Sequence, residues 1–164
     1  MKILICGHNA DRATEHFKSI KSKHSILSHS AYNLFSETMK DSYNADLVRF
    51  AQICSQGFIP GCINIYQQTP WSEQKLIEDR LTDEQNLVVS TYYNLLGWKP
   101  DIVIYLYSDE YDESLEKCMD IDNPDDVKIF KLYANEQKLL ANLMLIYERI
   151  LIHYPTNKLL KIAP

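Results

Sequence analysis

The sequence has little positive charge with which to bind a polyanion. Its 164 residues include 17 lysines and arginines against 22 aspartates and glutamates, which gives a net charge of −5. Nine of the acidic residues lie between Asp109 and Asp126. A protein that binds the phosphate backbone of DNA or RNA needs a basic face. We therefore expect no nucleic-acid partner.

Long apolar runs and paired cysteines are missing as well. No stretch approaches the roughly 20 apolar residues of a membrane span, and Met1 leads directly into a short apolar run rather than a signal peptide. We expect no membrane partner and a cytoplasmic or nuclear location. The four cysteines form no C-x-x-C pair and the histidines are scattered, so we expect reduced thiols, no metal and no cofactor.

The remaining composition, 46% hydrophobic and 24% charged, is ordinary for a globular protein, and the length fits a single domain over residues 1–164. Apolar runs alternate with amphipathic segments, which predicts βαβ units. The expected fold is a three-layer α/β/α domain with a parallel sheet of about five strands. Ligands bind such sheets at the carboxyl ends of the strands, here Gly7, Ser28, Gln67 and Tyr107.

The individual elements follow from periodicity and from start and stop signals. Thr82 and Gln85 form a capping box that opens a helix, and Gly97 ends that helix. A stripe of apolar residues predicts one long C-terminal helix over 125–153. The strands are predicted at 3–6, 25–27, 62–66, 100–106 and 158–162, and the other helices at 9–21, 31–39, 45–56, 72–78, 83–96 and 109–119.

The turn after the first strand has the spacing of a phosphate loop without its chemistry. That loop needs Gly, four residues, Gly-Lys and then Ser or Thr, and Gly7 and Thr14 are separated correctly. Arg12 takes the place of the second glycine and Ala13 that of the lysine. We interpret Gly7 as a structural turn. Arg12, at the N-terminal end of the first helix, could take over a phosphate contact.

Several stretches carry a family resemblance. They are Ile65–Trp71, Leu81–Gln85, Lys99–Leu106, Leu115–Cys118 and Arg49–Gln52. Together with the order of the predicted strands and helices, they resemble the deoxyribonucleoside kinases, the family that includes the herpesvirus-type thymidine kinases. The resemblance implies a P-loop kinase fold, and Arg49–Gln52 is similar to the segment that carries the base-reading glutamine.

The resemblance also implies charged residues at four positions, because phosphoryl transfer needs charged groups around the phosphates. This sequence departs from all four. Ala13 stands for the lysine, Ser28 and His29 for the carboxylate base, Gln67, Gln68 and Thr69 for an acid-arginine-serine turn, and the acidic stretch 119–126 for an arginine-rich lid. We predict a catalytically degenerate member, a pseudoenzyme that acts through protein interaction.

Two alternatives stay open. An active deoxyribonucleoside kinase with displaced catalytic groups would transfer the γ-phosphate of ATP to a deoxynucleoside, and a pseudo-subunit would pair with an active homologue. Residual nucleoside binding would involve five residues. His29 would stand in for the missing general base, Gln52 and Gln68 would make polar contacts, and the rings of Tyr66 and Trp71 would stack on the nucleobase. The structural alternative makes the two rings core residues and Gln52 a polar residue at a helix margin.

The helix over 83–96 is apolar on two sides, which predicts burial on both. One side must meet the sheet, and the other would meet a second copy or a heteromeric protein partner. The sequence places Leu87, Val88, Thr91, Tyr92 and Leu95 on one face, and Val89, Tyr93 and Leu96 off it. We assign the second set to a homodimer surface. The alternative is that helix 31–39 covers it.

Overall fold

Five strands form one all-parallel sheet in the part of the chain that the computed structural model describes, residues 1–29, 45–109, 127–153 and 159. The spatial order is β2-β3-β1-β4-β5. The strands are β1 (Lys2–Gly7), β2 (Ile26–His29), β3 (Ile63–Tyr66), β4 (Ile102–Tyr107) and β5 (Lys128–Tyr133). This sheet confirms the predicted fold class.

Helices cover both faces of the sheet. The described helices are α1 (Ala10–Lys18), α2 (Ala45–Cys54), α3 (Pro70–Ile77), α4 (Asp83–Leu96) and α5 (Glu136–His153), with a 3₁₀ turn at Glu78–Arg80 after α3. None of these helices has the length and apolar character to cross a membrane.

The central strand β1 is buried on both sides, as its continuous apolar run predicts. One face of the sheet packs through Ile3 and Ile5 against α1 and α5, where Phe17 and Leu143 are fully buried. The other face packs through Leu4 and Cys6 against Trp71 of α3. The sheet is therefore the middle one of three layers, and a separate apolar interface joins it to the helices on each face.

The predicted capping box is present at the start of α4. The Thr82 hydroxyl accepts the Gln85 backbone N–H at 3.2 Å, and the Gln85 side chain accepts the Thr82 N–H at 3.0 Å. Gly97 ends the helix in the left-handed conformation, with φ 63°. A second capping box, between Thr69 and Ser72, starts α3 two residues before the predicted start.

The predicted C-terminal helix over 125–153 is wrong in its first part. Residues Lys128–Tyr133 form β5, which pairs along its whole length with β4, and the helix begins only at Glu136. Six residues of mixed apolar and lysine side chains fit both periods, so the parallel ladder with β4 decides the outcome. The helix predicted at 31–39 lies outside the described residues, as does all but one residue of the helix predicted at 109–119 and of the strand predicted at 158–162.

Candidate functional site

The turn after β1 is shaped by the close approach of β4. Gly7 has φ +103°, and a Cβ at this position would lie 2.1 Å from the Leu106 carbonyl oxygen. The His8 N–H donates to that same oxygen at 2.9 Å. Only glycine fits such a contact and such a backbone angle. The geometry supports the interpretation of Gly7 as a structural turn.

The lysine and threonine positions of the degenerate phosphate loop face the protein. Ala13 is fully buried in the core between the sheet and α1. The Thr14 hydroxyl is 3% exposed and donates to the Ala10 carbonyl at 2.8 Å. It also accepts the side-chain amide of Gln67 at 3.4 Å. Neither side chain is directed at an external phosphate.

Arg12 is the cation of this turn, and it has a carboxylate partner. Its Nε lies 3.4 Å from Oε1 of Glu136, in the first turn of α5, and both side chains are more than half exposed. An exposed pair of this kind stabilises a protein by less than about 1 kcal/mol. The Glu136 carboxylate nevertheless offsets the positive charge of Arg12, which lies beside the loop.

His29, the candidate replacement base, points back along the sheet. Its Nε2 lies 2.8 Å from Oδ1 of the fully buried Asn64, and its ring stacks on Tyr66 at 4.8 Å. The Asn64 oxygen also accepts the Ile59 N–H at 2.9 Å, which fixes the orientation of the amide. Nε2 of His29 must therefore carry the proton. His29 pairs in register with Tyr66, so reaching Asn64 turns its ring toward the amino end of β3.

The two candidate stacking rings are core residues. Tyr66 is fully buried, its hydroxyl donates to the Gly57 carbonyl at 2.8 Å, and burial raises its pKa to about 12. Trp71 is 1% exposed and packs under the sheet. The burial of both rings favours the structural alternative, in which they are core residues.

A half-buried polar strip, which we call the polar seam, runs between α2 and α3. Arg49 Nε lies 3.5 Å from Oε1 of Glu73, whose carboxylate is only 3% exposed. One end of the seam is the Gln56 amide, which donates to the Gln68 carbonyl at 2.7 Å. Gln52 lies between these two contacts on the same side of α2. The polar seam consists of Arg49, Gln52, Gln56, Gln68 and Glu73.

The polar seam contains two buried acceptor groups, on Glu73 and Gln56. Burial raises the pKa of Glu73, and the nearby Arg49 and Arg80 act in the opposite direction. Oε1 of Gln56 is buried and has no hydrogen-bond partner among the described residues. A buried acceptor left in this state costs about 1–3 kcal/mol. Gln52 and Gln68 are among the site residues predicted from the sequence, but Glu73 is not, because no local pattern shows that this carboxylate is buried.

The far end of the carboxyl edge is aromatic. Tyr107 and Tyr133, which end β4 and β5, are each about two-fifths exposed, and their rings meet at 5.4 Å. The Tyr133 hydroxyl donates to Asp109 at 2.7 Å, and this hydrogen bond raises the pKa of Tyr133.

A groove of about 700 Å³ lies elsewhere, between α3 and α4, and is lined by none of the predicted nucleoside-binding residues. The described residues contain no cluster of three or more metal-ligating side chains.

Two of the three residues of the predicted dimer surface on α4 pack against the protein. Val89 is 3% exposed and packs with Phe50 and Ile77, and Tyr93 packs against the same cluster. Leu96 remains partly exposed. The face that we expected to meet the sheet is the exposed one instead. Both sides of the helix are apolar, so the 3.6-residue period alone could not choose between them.

The fold defines a three-layer α/β/α protein with a parallel sheet in the middle. The sequence matches no protein-family model, and it has no significant match among curated proteins. A more specific assignment therefore depends on the residues of the chain itself.

Proposed function

We propose that this chain is a catalytically degenerate deoxyribonucleoside kinase-like protein, which acts through protein interaction and binds a nucleoside without phosphorylating it. The observation that carries the proposal is the turn after β1. Ala13 is buried in the core where a phosphate-loop kinase needs a lysine, and Arg12 is paired with Glu136. Phosphoryl transfer depends on cations around the transferred group.

Charge at the carboxyl edge supports the loss of catalysis. Glu136 begins α5 beside the loop, and Asp109 follows β4 at the same edge. Carboxylates at these positions repel a triphosphate rather than stabilise it. The same side chains leave a neutral ligand unaffected, so the edge discriminates between a nucleotide and a nucleoside.

The polar seam supports nucleoside binding. It has two kinds of buried acceptor, the Glu73 carboxylate and the Gln56 carbonyl oxygen, and a half-buried guanidinium donor on Arg49. A nucleobase edge presents N–H donors beside carbonyl acceptors in one plane, which complements such a set. Gln52, which the family resemblance indicated, belongs to this seam, as does the backbone carbonyl of Gln68.

Calorimetric titration tests both halves of the proposal. We expect no heat from ATP with magnesium, and a saturable signal from at least one of the four common deoxynucleosides. Gln56→Leu should weaken that signal at least about fivefold, the equivalent of one hydrogen bond. Glu15→Gln, an exposed position on α1, serves as the matched control and should leave it unchanged.

The contradicting outcomes are distinct. ATP binding in the micromolar range, together with transfer of its γ-phosphate to a deoxynucleoside, would replace the proposal with an active kinase. Nucleoside binding that Gln56→Leu leaves intact would move the site away from the polar seam. Absence of binding by all four nucleosides would leave protein interaction as the only proposed role.

A further inference from the structure

The groove between α3 and α4 is acidic at one end. It has a volume of about 700 Å³ and lies where the chain passes from α3 through the 3₁₀ turn into α4. Glu78, Asp79 and Asp83 come within one stretch of six residues, and all three line the groove there. All three residues are exposed. We call these three carboxylates the acid end of the groove.

Two cations lie close to the acid end in the sequence, and both have partners elsewhere. Lys75 also lines the groove, but its ammonium lies 4.9 Å from the centre of the Trp71 ring, one helical turn back toward the start of α3. Arg80 follows Asp79 directly, and its guanidinium donates to Asp46 of α2 at 2.9 Å. The side chains that line the groove therefore carry three negative charges against one positive charge. Such a cleft attracts cationic groups.

Hydrogen bonds fix the shape of the acid end. The side-chain amide of Asn86, on α4, donates to the backbone carbonyl of Glu78 at 2.8 Å, which ties the 3₁₀ turn to that helix. The capping box of Thr82 and Gln85 holds the first turn of α4 between them. A site whose backbone is already ordered loses little conformational freedom when a partner binds.

Apolar surface continues from the acid end along α4. Val89, which is 3% exposed, lies at the floor of the groove, and Leu87, which is 66% exposed, lies at its rim. From Leu87 a row at four-residue spacing passes through Thr91 to Leu95, which is 81% exposed. At about 1.5 Å per residue, Leu95 lies roughly 18 Å from Asp83 along the helix. A surface of this length is suited to a segment of another protein and is longer than a small ligand needs.

We propose that the groove binds a basic amphipathic helix of another protein, with its lysine or arginine residues at the acid end and its apolar residues along Leu87 and Leu95. The inference rests on the protein-interaction role in the proposed function, and it names the chemistry of the partner without using the polar seam. The charges select this occupant, because a partner with carboxylates at the same place would be repelled.

Fluorescence anisotropy with two labelled peptides tests the charge of the partner. The first peptide is an amphipathic helix of about 16 residues, built from leucine and lysine and long enough to fold on binding. The second has glutamate in place of every lysine. We expect the lysine peptide to bind the native chain at micromolar concentrations, and the glutamate peptide to bind at least about tenfold more weakly. Equal binding of the two peptides would overturn the proposal.

Two variants with the same change of charge test the position of the site. Asp79 and Glu84 are both exposed, but Asp79 lines the groove and Glu84 does not. We expect Asp79→Lys to weaken the lysine peptide at least about fivefold and to strengthen the glutamate peptide, whereas Glu84→Lys should change either affinity by less than about twofold. Asp79→Asn should give a smaller loss than Asp79→Lys at the native melting temperature. Equal losses at residues 79 and 84 would show attraction to net charge alone and would overturn the groove as the site.

Two further measurements separate a helical partner from a small polycation. Leu87→Ser should weaken the lysine peptide at least about fivefold, because it removes apolar surface from the rim. Leu145→Ser, at an exposed leucine of α5, is the matched control and should leave the affinity unchanged. Spermine, which has the charge without apolar side chains, should not displace the peptide at an equal concentration. Displacement by spermine, or full affinity in Leu87→Ser, would assign the acid end to free polyamines and overturn the helical partner.

Failure of this inference is distinguishable from failure of the proposed function. A native chain that binds neither peptide would overturn the inference, and the titrations with nucleosides and ATP would keep their meaning. Transfer of the γ-phosphate of ATP to a deoxynucleoside would overturn the proposed function, and the difference between Asp79→Lys and Glu84→Lys in the peptide assay would still report on the groove.

Discussion

The turn after β1 and the polar seam both place charged side chains close to the carboxyl ends of the strands, but in opposite environments. Arg12 and Glu136 are more than half exposed, whereas Glu73 is almost fully buried against Arg49. Water screens the first pair, so it contributes little to stability. In the second pair Glu73 is desolvated, so loss of Arg49 would leave a buried carboxylate without its partner.

The difference is the reason for placing the proposed ligand site in the polar seam and not in the loop. The loop serves packing. Gly7 allows β4 to approach closely, and the Ala13 side chain fills the core. The polar seam has buried polar groups that packing does not require and that are incompletely satisfied, such as Oε1 of Gln56. Native proteins rarely keep such groups without a use. Substitutions in the two regions should therefore differ in size and in kind.

The largest effect is expected at the loop backbone. Gly7→Val puts a branched side chain against the Leu106 carbonyl at a φ of +103°, so we expect a loss of about 4 kcal/mol of stability. Thermal denaturation measures it. Gly57→Val is the control, because a Cβ there meets no atom within 4 Å. Equal melting temperatures for the two variants would show that the turn is not constrained by β4.

Restoring the missing lysine should damage the protein rather than repair it. Ala13 is fully buried, so Ala13→Lys must either bury an ammonium group or displace the helix, at a cost of about 3 kcal/mol. Chemical denaturation gives the value, with Asp11→Lys at an exposed position of α1 as the control. A stable Ala13→Lys variant that binds ATP would contradict the degenerate assignment of the loop.

The sequence was sufficient for the parts of the fold that depend on local patterns. The buried strands β1 and β4 and the Thr82 capping box each have a signal within a few residues. The strand β5 does not, because Ile129, Leu132 and Tyr133 also match a helical stripe, and pairing with β4 decides between them. The polar seam was found only in part, because burial of Glu73 depends on how α2 packs on α3.

The polar seam should show itself in the pH dependence of stability. Burial raises the pKa of Glu73 above its ordinary value of 4.5, so the folded state binds a proton more tightly than the unfolded state. This contribution is fully present below the unfolded pKa and is lost as the pH rises through the folded pKa. Glu73→Gln removes it, so the melting temperature of the variant relative to the native chain should rise with pH across that window. Glu15→Gln should show no such trend.

The smallest effect is expected at the exposed pair. Arg12→Ala should change the free energy of unfolding by less than about 1 kcal/mol, because its partner Glu136 is itself more than half exposed and can return to water. The charge of the edge does change: with Arg12 removed, Glu136 is no longer offset, and the edge becomes more repulsive to anions. Glu136→Ala has the opposite consequence and leaves Arg12 unpaired at the mouth of α1. Titration with inorganic phosphate separates the two variants without reference to catalysis. Binding by Glu136→Ala alone would show that the carboxylate suppresses a residual anion site, and absence of binding by both would show that the loop has lost phosphate recognition altogether.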